Sequence, residues 1–295
     1  MKPSALKAWV AASRPQTLTV AVAPVLLGAA LAAEVTSLHI PLLIATLIGA
    51  ICIQIGTNLF NDYADFKKGT DGADRLGPAR ACASGWLEPG HVLIAVWVVF
   101  AMAIVAGLFL VMAAGWPILV IGIASLACGF AYTGGPWPLS YVGTADLFVF
   151  VFFGLVAVGG TFFVLTGSLS TTAVLGGAIL GCLATAVLAV NNLRDRKGDR
   201  QAGKKTLAVR YGEAFARNEF ALLITAPALM VLLVAIFVPG AGPGWLAPLA
   251  LTPWLVQLTR DAFRMDGRDL NILLKRTAVT ELAFSILLCA GIILT

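Results

Sequence analysis

The residues best suited to chemistry are two runs of asparagine and aspartate. The first reads Asn58-Leu-Phe-Asn61-Asp62-Tyr-Ala-Asp65-Phe-Lys67-Lys68-Gly69-Thr-Asp71, and the second Asn191-Asn192-Leu-Arg194-Asp195-Arg-Lys197-Gly198-Asp199. Asn58, Asp62 and Asp65 follow i, i+4, i+7 spacing, and Asn192, Asp195 and Asp199 follow i, i+3, i+7. On helices each set projects oxygen ligands from one face. Carboxylates crowded in this way repel one another, and at a membrane boundary they also lose hydration, so they require cations. Hard oxygen ligands suit Mg²⁺, which keeps several waters and bridges one or two carboxylates to phosphate oxygens. Two such clusters face to face would form a diphosphate clamp. Arg14, Lys67, Lys68, Arg194, Lys204 and Lys205 carry the charge to neutralise what the metal leaves uncovered.

The elements that position these runs must lie in a bilayer. The chain has 295 residues, 59% hydrophobic and 12% charged, with mean hydropathy +0.92; a soluble domain carries about 25% charged residues. A spanning helix needs roughly 20 mostly apolar residues. The sequence predicts an all-α polytopic membrane protein with nine such stretches, at about 17–33, 41–60, 91–112, 116–132, 145–165, 172–191, 219–237, 245–259 and 278–294. Residues 1–295 read as a single transmembrane domain, with capping segments on one side at about 61–90 and 192–217. Asn61 overlays Asn191, Asp65 overlays Asp195 and Lys67 overlays Lys197, after spans two and six. This weak repeat predicts two four-helix units plus a ninth helix around a central cavity.

Charge sets the orientation. All 20 Lys and Arg fall before span one or between spans two and three, six and seven, and eight and nine. The opposite connections, around 34–40, 113–115, 166–171 and 238–244, have none. The positive-inside rule then predicts a cytoplasmic N-terminus and acidic runs facing the cytoplasm. The +5 net charge reflects this topology and gives no support for a nucleic-acid partner. The five cysteines have no close pairs, so they suggest neither a zinc site nor a disulfide framework.

The two acidic runs resemble the aspartate-rich motifs of the UbiA superfamily of intramembrane prenyltransferases, NDxxDxxxD and DxxxD after spans two and six of nine. The resemblance covers nearly the whole chain. In the first motif the last acid is replaced by Gly69, with Asp71 two residues later. That variant is similar to the branch that prenylates 1,4-dihydroxy-2-naphthoate in menaquinone synthesis. Ser13-Arg14-Pro15-Gln16-Thr17, the Asp74-Arg75-Leu-Gly77-Pro78-Ala-Arg80 run and Tyr132-Thr133-Gly134-Gly135 point the same way.

The resemblance implies Mg²⁺-dependent transfer of a polyprenyl group from its diphosphate to the naphthoate, releasing diphosphate and CO₂, in a bacterial inner membrane with no obligatory protein partner. Asp62, Asp65, Asp195 and Asp199 would be the catalytic metal ligands, joined by Asp71. Asn58, Asn61, Asn192, Arg14, Lys67, Arg194 and Lys204 would hold the diphosphate. Arg75 and Arg80 are the expected partners of the acceptor carboxylate. Tyr132 could face the allyl cation through its ring, and Asp146, an acid near a span boundary, is expected to line the cavity. The alternatives are a relative using 4-hydroxybenzoate or another acceptor, and a cation-coupled transporter. Transporter sites lie near the midplane, whereas these motifs run out into charged loops.

Overall fold

The computed structural model describes residues 3–69 and 75–295, and every regular element among them is helical. In chain order these are α1 (Ala5–Ser13), α2 (Pro15–Ala33), α3 (Ile40–Lys68), α4 (Pro89–Ala114), α5 (Trp116–Ala131) and the short α6 (Leu139–Val142). Then α7 (Ala145–Val149), a π-helical stretch (Phe150–Val156) and α8 (Ala157–Thr166) run on as one helix. They are followed by α9 (Thr171–Gln201), α10 (Leu207–Tyr211), α11 (Glu213–Phe237), a 3₁₀ segment (Pro243–Leu251), α12 (Thr252–Arg264), a 3₁₀ turn (Gly267–Asp269) and α13 (Leu270–Leu294).

Seven of these helices are long and apolar enough to cross a membrane, so the chain is a multi-pass membrane protein. The expected count of nine is not reached by that measure. The fourth predicted span is α5, only 16 residues long. The eighth is divided between the 3₁₀ segment and α12. Pro248, inside the 3₁₀ segment, removes a helix donor and Pro253 opens α12, and Gln257, Arg260, Asp261 and Arg264 make the second half amphipathic.

Both acidic runs lie on helices that continue beyond the apolar stretch. The first is the last three turns of α3, which stops at Gly69 in the left-handed region (φ 67°) that a glycine adopts without strain. The second forms the end of α9, the most buried span, enclosed by α2, α8, α11, α13 and the π-helical stretch. Helix α1 was not anticipated from hydropathy because it is too short to cross. It is N-capped by Ser4, whose hydroxyl accepts from the Lys7 N–H, and it packs Ala8 and Ala12 against α3.

Small residues set how closely the central helices approach. A Cβ on Gly154 would lie 2.6 Å from the Gly181 Cα and overlap the Gly177 carbonyl, and one on Gly177 would lie 2.9 Å from the Leu155 Cα. The backbones of the π-helical stretch and α9 are therefore in direct contact. Gly154→Val is expected to destabilise the protein by about 1–3 kcal/mol, measured as a lowered thermal unfolding midpoint in detergent, whereas Gly107→Ala, where a Cβ meets nothing within 4 Å, should leave the midpoint unchanged.

Candidate active site

At the end of α3, Asn58, Asn61, Asp62 and Asp65 are all buried, and each is held by chain far away in sequence. The Asn58 amide donates to the Ser13 carbonyl and the Thr17 hydroxyl, both at 2.9 Å. Asn61 donates to the Thr133 hydroxyl at 2.7 Å, and its own oxygen accepts from Arg14 at 2.7 Å and from Arg80. Asp62 accepts two backbone N–H groups, Ala81 at 2.9 Å and Cys82 at 3.1 Å. Asp65 pairs with Arg80 at 3.2 Å. The connection after the first motif thus folds back over it.

The second run is pinned differently. Arg194 donates to both oxygens of Asp195, at 2.8 and 2.6 Å, to Asn191 at 2.7 Å, and to Asn271 at the start of α13 at 2.9 Å. Asn271 in turn donates to the Leu76 carbonyl at 2.9 Å, linking α13 to the loop after the first motif. Gly77 in that loop lets Arg194 approach: a Cβ there would lie 2.8 Å from its Nη2. We therefore expect Gly77→Ala to displace Arg194 and lower turnover on the order of 10–100-fold, with the unfolding midpoint unchanged, in a steady-state assay.

The two runs meet at Lys204. Its ammonium lies 3.3 Å from Asp199 and within electrostatic reach of Asp65. Burial alone would lower its pKa, but the two carboxylates outweigh burial and raise it, so the lysine stays protonated. Lys204 and Lys68 also cover the Tyr141 ring, at 5.1 and 4.6 Å from its centroid. Tyr132 has Asp146, Arg14, Asp199 and Asp65 around it; burial, reinforced by Asp146, raises its pKa and keeps the phenol protonated. Arg14, at the α1–α2 junction, is the one non-glycine residue with positive φ (52°) among the described residues. Burial and the nearby Arg75 lower its pKa.

Inward from these groups lies a cavity of about 870 Å³ lined by α2, α3, α4, α5, α8, α9 and the π-helical stretch. Its polar end carries Arg14, Asn58, Asp62, Arg75, Arg80 and Arg194, with Tyr132 also on the wall; the remainder is mostly aliphatic and aromatic, including Phe148, Phe152 and Phe153. The structure thus brings residues of both acidic runs and four of the sequence-predicted bases, Arg14, Arg75, Arg80 and Arg194, to one end of one apolar chamber.

Several predicted residues stand elsewhere. Asn191, not Asn192, faces the cavity. Lys67 sits over the Tyr63 ring, 5.9 Å from its centroid. Asp146 is buried, makes no hydrogen bond among the described residues, and lies behind Tyr132 and off the cavity wall. Asp71 lies outside the described residues. Among the cavity residues not singled out from the sequence are Gln54 and Asn271. Gln54 could have been found, since it precedes Asn58 by one helical turn; Asn271 carries no local signal.

The donor set suits a hydrated divalent metal. Among the described residues no three His, Cys, Asp or Glu side chains converge; Asp199 pairs with the Lys204 ammonium, whose pKa Asp65 also raises. A pair of carboxylates, with water and phosphate completing the shell, is how Mg²⁺ is usually held.

The family model for the UbiA prenyltransferase family matches residues 21–278. The chain is 36% identical to the 1,4-dihydroxy-2-naphthoate octaprenyltransferase of Escherichia coli (strain K12), over 99% of this chain and 97% of that one. It is 32% identical to the enzyme of the same name from Bacillus subtilis (strain 168), over 96% and 91%. Among solved structures it shares the fold of a UbiA homolog from Archaeoglobus fulgidus bound to GPP and Mg²⁺, with a TM-score of 0.69 at 14% identity over 98% and 100% of the two chains. An apo UbiA homolog from Aeropyrum pernix K1 aligns with a TM-score of 0.70 at 18% identity over 94% and 97%.

Proposed function

Because the chain belongs to the UbiA prenyltransferase family, we propose that it transfers a polyprenyl group from polyprenyl diphosphate to 1,4-dihydroxy-2-naphthoate, releasing diphosphate and CO₂. The observation that carries this reading is that both acidic runs reach one apolar chamber, Asn58 and Asp62 from the first and Asn191 and Arg194 from the second lining its polar end. That chamber accepts a hydrocarbon tail, and the basic groups at its polar end accept the diphosphate. The charge asymmetry of the loops supports a bacterial inner membrane, with the N-terminus and the site on the cytoplasmic side.

In this reading Asp65, Asp195 and Asp199, with Asp62 and Asp71, would hold Mg²⁺ for the diphosphate. When bound there, the metal supplies Lewis-acid stabilisation of the charge that develops on the departing group. Lys68, Lys204 and Arg14 add positive charge at the same end, and because Lys204 stays protonated it does so across the neutral range. The chamber wall, with Phe148, Phe152 and Phe153, keeps water from the allylic cation, and Tyr132 offers it a ring face. Arg75, on the cavity wall, would meet the acceptor carboxylate. Arg80, bonded to Asn61 and Asp65, acts instead on the diphosphate half.

Purified protein in liposomes, given Mg²⁺, octaprenyl diphosphate and either 1,4-dihydroxy-2-naphthoate or 4-hydroxybenzoate, tests the reading by mass spectrometry of the lipid extract. A Mg²⁺-dependent demethylmenaquinol is the expected product. A prenylated hydroxybenzoate alone would overturn the acceptor, and no diphosphate release with any acceptor would overturn the transferase.

A further inference from the structure

Gln54 sits mid-span on α3, one turn before Asn58 and two before Asp62, so the three side chains share a face. It is 8% exposed and lines the cavity. Among the described residues its amide makes no hydrogen bond. Its amide atoms are open to the cavity, where an amide left without a partner forgoes a hydrogen bond that a ligand can supply. Polar side chains kept inside a span mark ligand contacts.

The neighbours narrow the ligand. Toward the polar end, both donors of Asn58 are used by Ser13 and Thr17, and both oxygens of Asp62 by Ala81 and Cys82. In the other direction the α3 wall is Ala50, Gly49 and Thr46, and the Thr46 hydroxyl donates to its own helix at Leu42. Gln54 is therefore the first uncommitted hydrogen-bonding side chain on α3 inward of the ionic cluster. A polyprenyl tail offers it nothing, and a diphosphate belongs with the arginines and carboxylates. A hydroxyl on an aromatic ring fits, because the attacked allylic carbon lies immediately inward of the diphosphate and the ring must reach that level. Resting on the transferase reading above, we propose that the Gln54 amide hydrogen-bonds a ring hydroxyl of the aromatic acceptor and orients the ring toward the allylic carbon.

The test uses the full-length protein in liposomes and the variants Gln54→Leu and Gln54→Met, with KM measured separately for each substrate. The expected result is a rise of about tenfold in KM for 1,4-dihydroxy-2-naphthoate, the size of one lost neutral hydrogen bond, with KM for octaprenyl diphosphate unchanged. Inhibition constants for 1-hydroxy-2-naphthoate and 4-hydroxy-2-naphthoate, each lacking one hydroxyl, identify the contact. For the compound missing the bonded hydroxyl, wild type and variants should bind equally. An equal loss for the diol and both monohydroxy compounds, or a shifted KM for the diphosphate, overturns the proposal. If Gln54→Leu does not fold, Gln54→Met, matched in length, supplies the same comparison. If the wild type prenylates another hydroxyarene, the acceptor reading fails while that acceptor and its deoxy analogue still decide Gln54. A wild type that transfers to no acceptor removes both.

Discussion

Asp65→Ala and Asp199→Ala are each expected to lower prenyl transfer by about 10²–10³-fold, the scale of removing one group that stabilises charge on a leaving oxygen. The loss should appear in kcat, with a higher Mg²⁺ concentration needed for half-maximal rate. Asp199 pairs with the Lys204 ammonium at 3.3 Å, and the charge of Asp65 acts on the same lysine, so one cation couples the two acidic runs. Removing either leaves a half-clamp whose remaining carboxylate pairs with the lysine. The double variant should therefore be little worse than the single ones, because residues acting as a unit are not additive. Initial-rate assays across a Mg²⁺ titration measure this; a double variant slower by the product of the two single effects would show that the aspartates act independently.

Asp62→Ala should be equally inactive for a different reason. Both its oxygens accept backbone N–H groups of the loop that returns over α3, and hydrogen bonds to a charged acceptor are worth about 1.5–3 kcal/mol each. Without them the segment carrying Arg80 separates from Asn61 and Asp65, and the clamp loses its cover as well as a carboxylate. Hydrogen exchange separates the two cases. Asp62→Ala should expose the amides of residues 81 and 82 and their neighbours, whereas Asp65→Ala should leave them protected. Asp62→Asn should fall between, since an amide retains one acceptor oxygen but turns an NH₂ toward a backbone donor. Unchanged protection in Asp62→Ala would assign Asp62 to metal binding alone.

The features legible in the sequence were those with local causes. Apolar length, loop charge and the spacing of the acidic runs each act within one helix, so the all-helical membrane fold and the two acidic faces follow from them. The resemblance to a prenyltransferase family, carried by those runs, agrees with the family model and the curated relatives. The span count was less legible. Hydropathy sums over a window and does not register that Pro248 and Pro253 divide the 243–264 region or that α5 is short.

The tertiary structure decided which polar groups remain available for a ligand. From spacing alone Asp62 and Asp65 look equivalent, but one is bonded to backbone and the other is paired with Arg80. Arg80, expected from the sequence as an acceptor contact, is bonded in the fold to Asn61 and Asp65. Arg194 is aimed by Asn271, and Gln54 stands out only because Asn58 and Asp62 beside it are already bonded. A helix fixes the direction a side chain points, through its periodicity. Whether that side chain is already satisfied depends on distant chain brought against it, which has no signature in the local sequence.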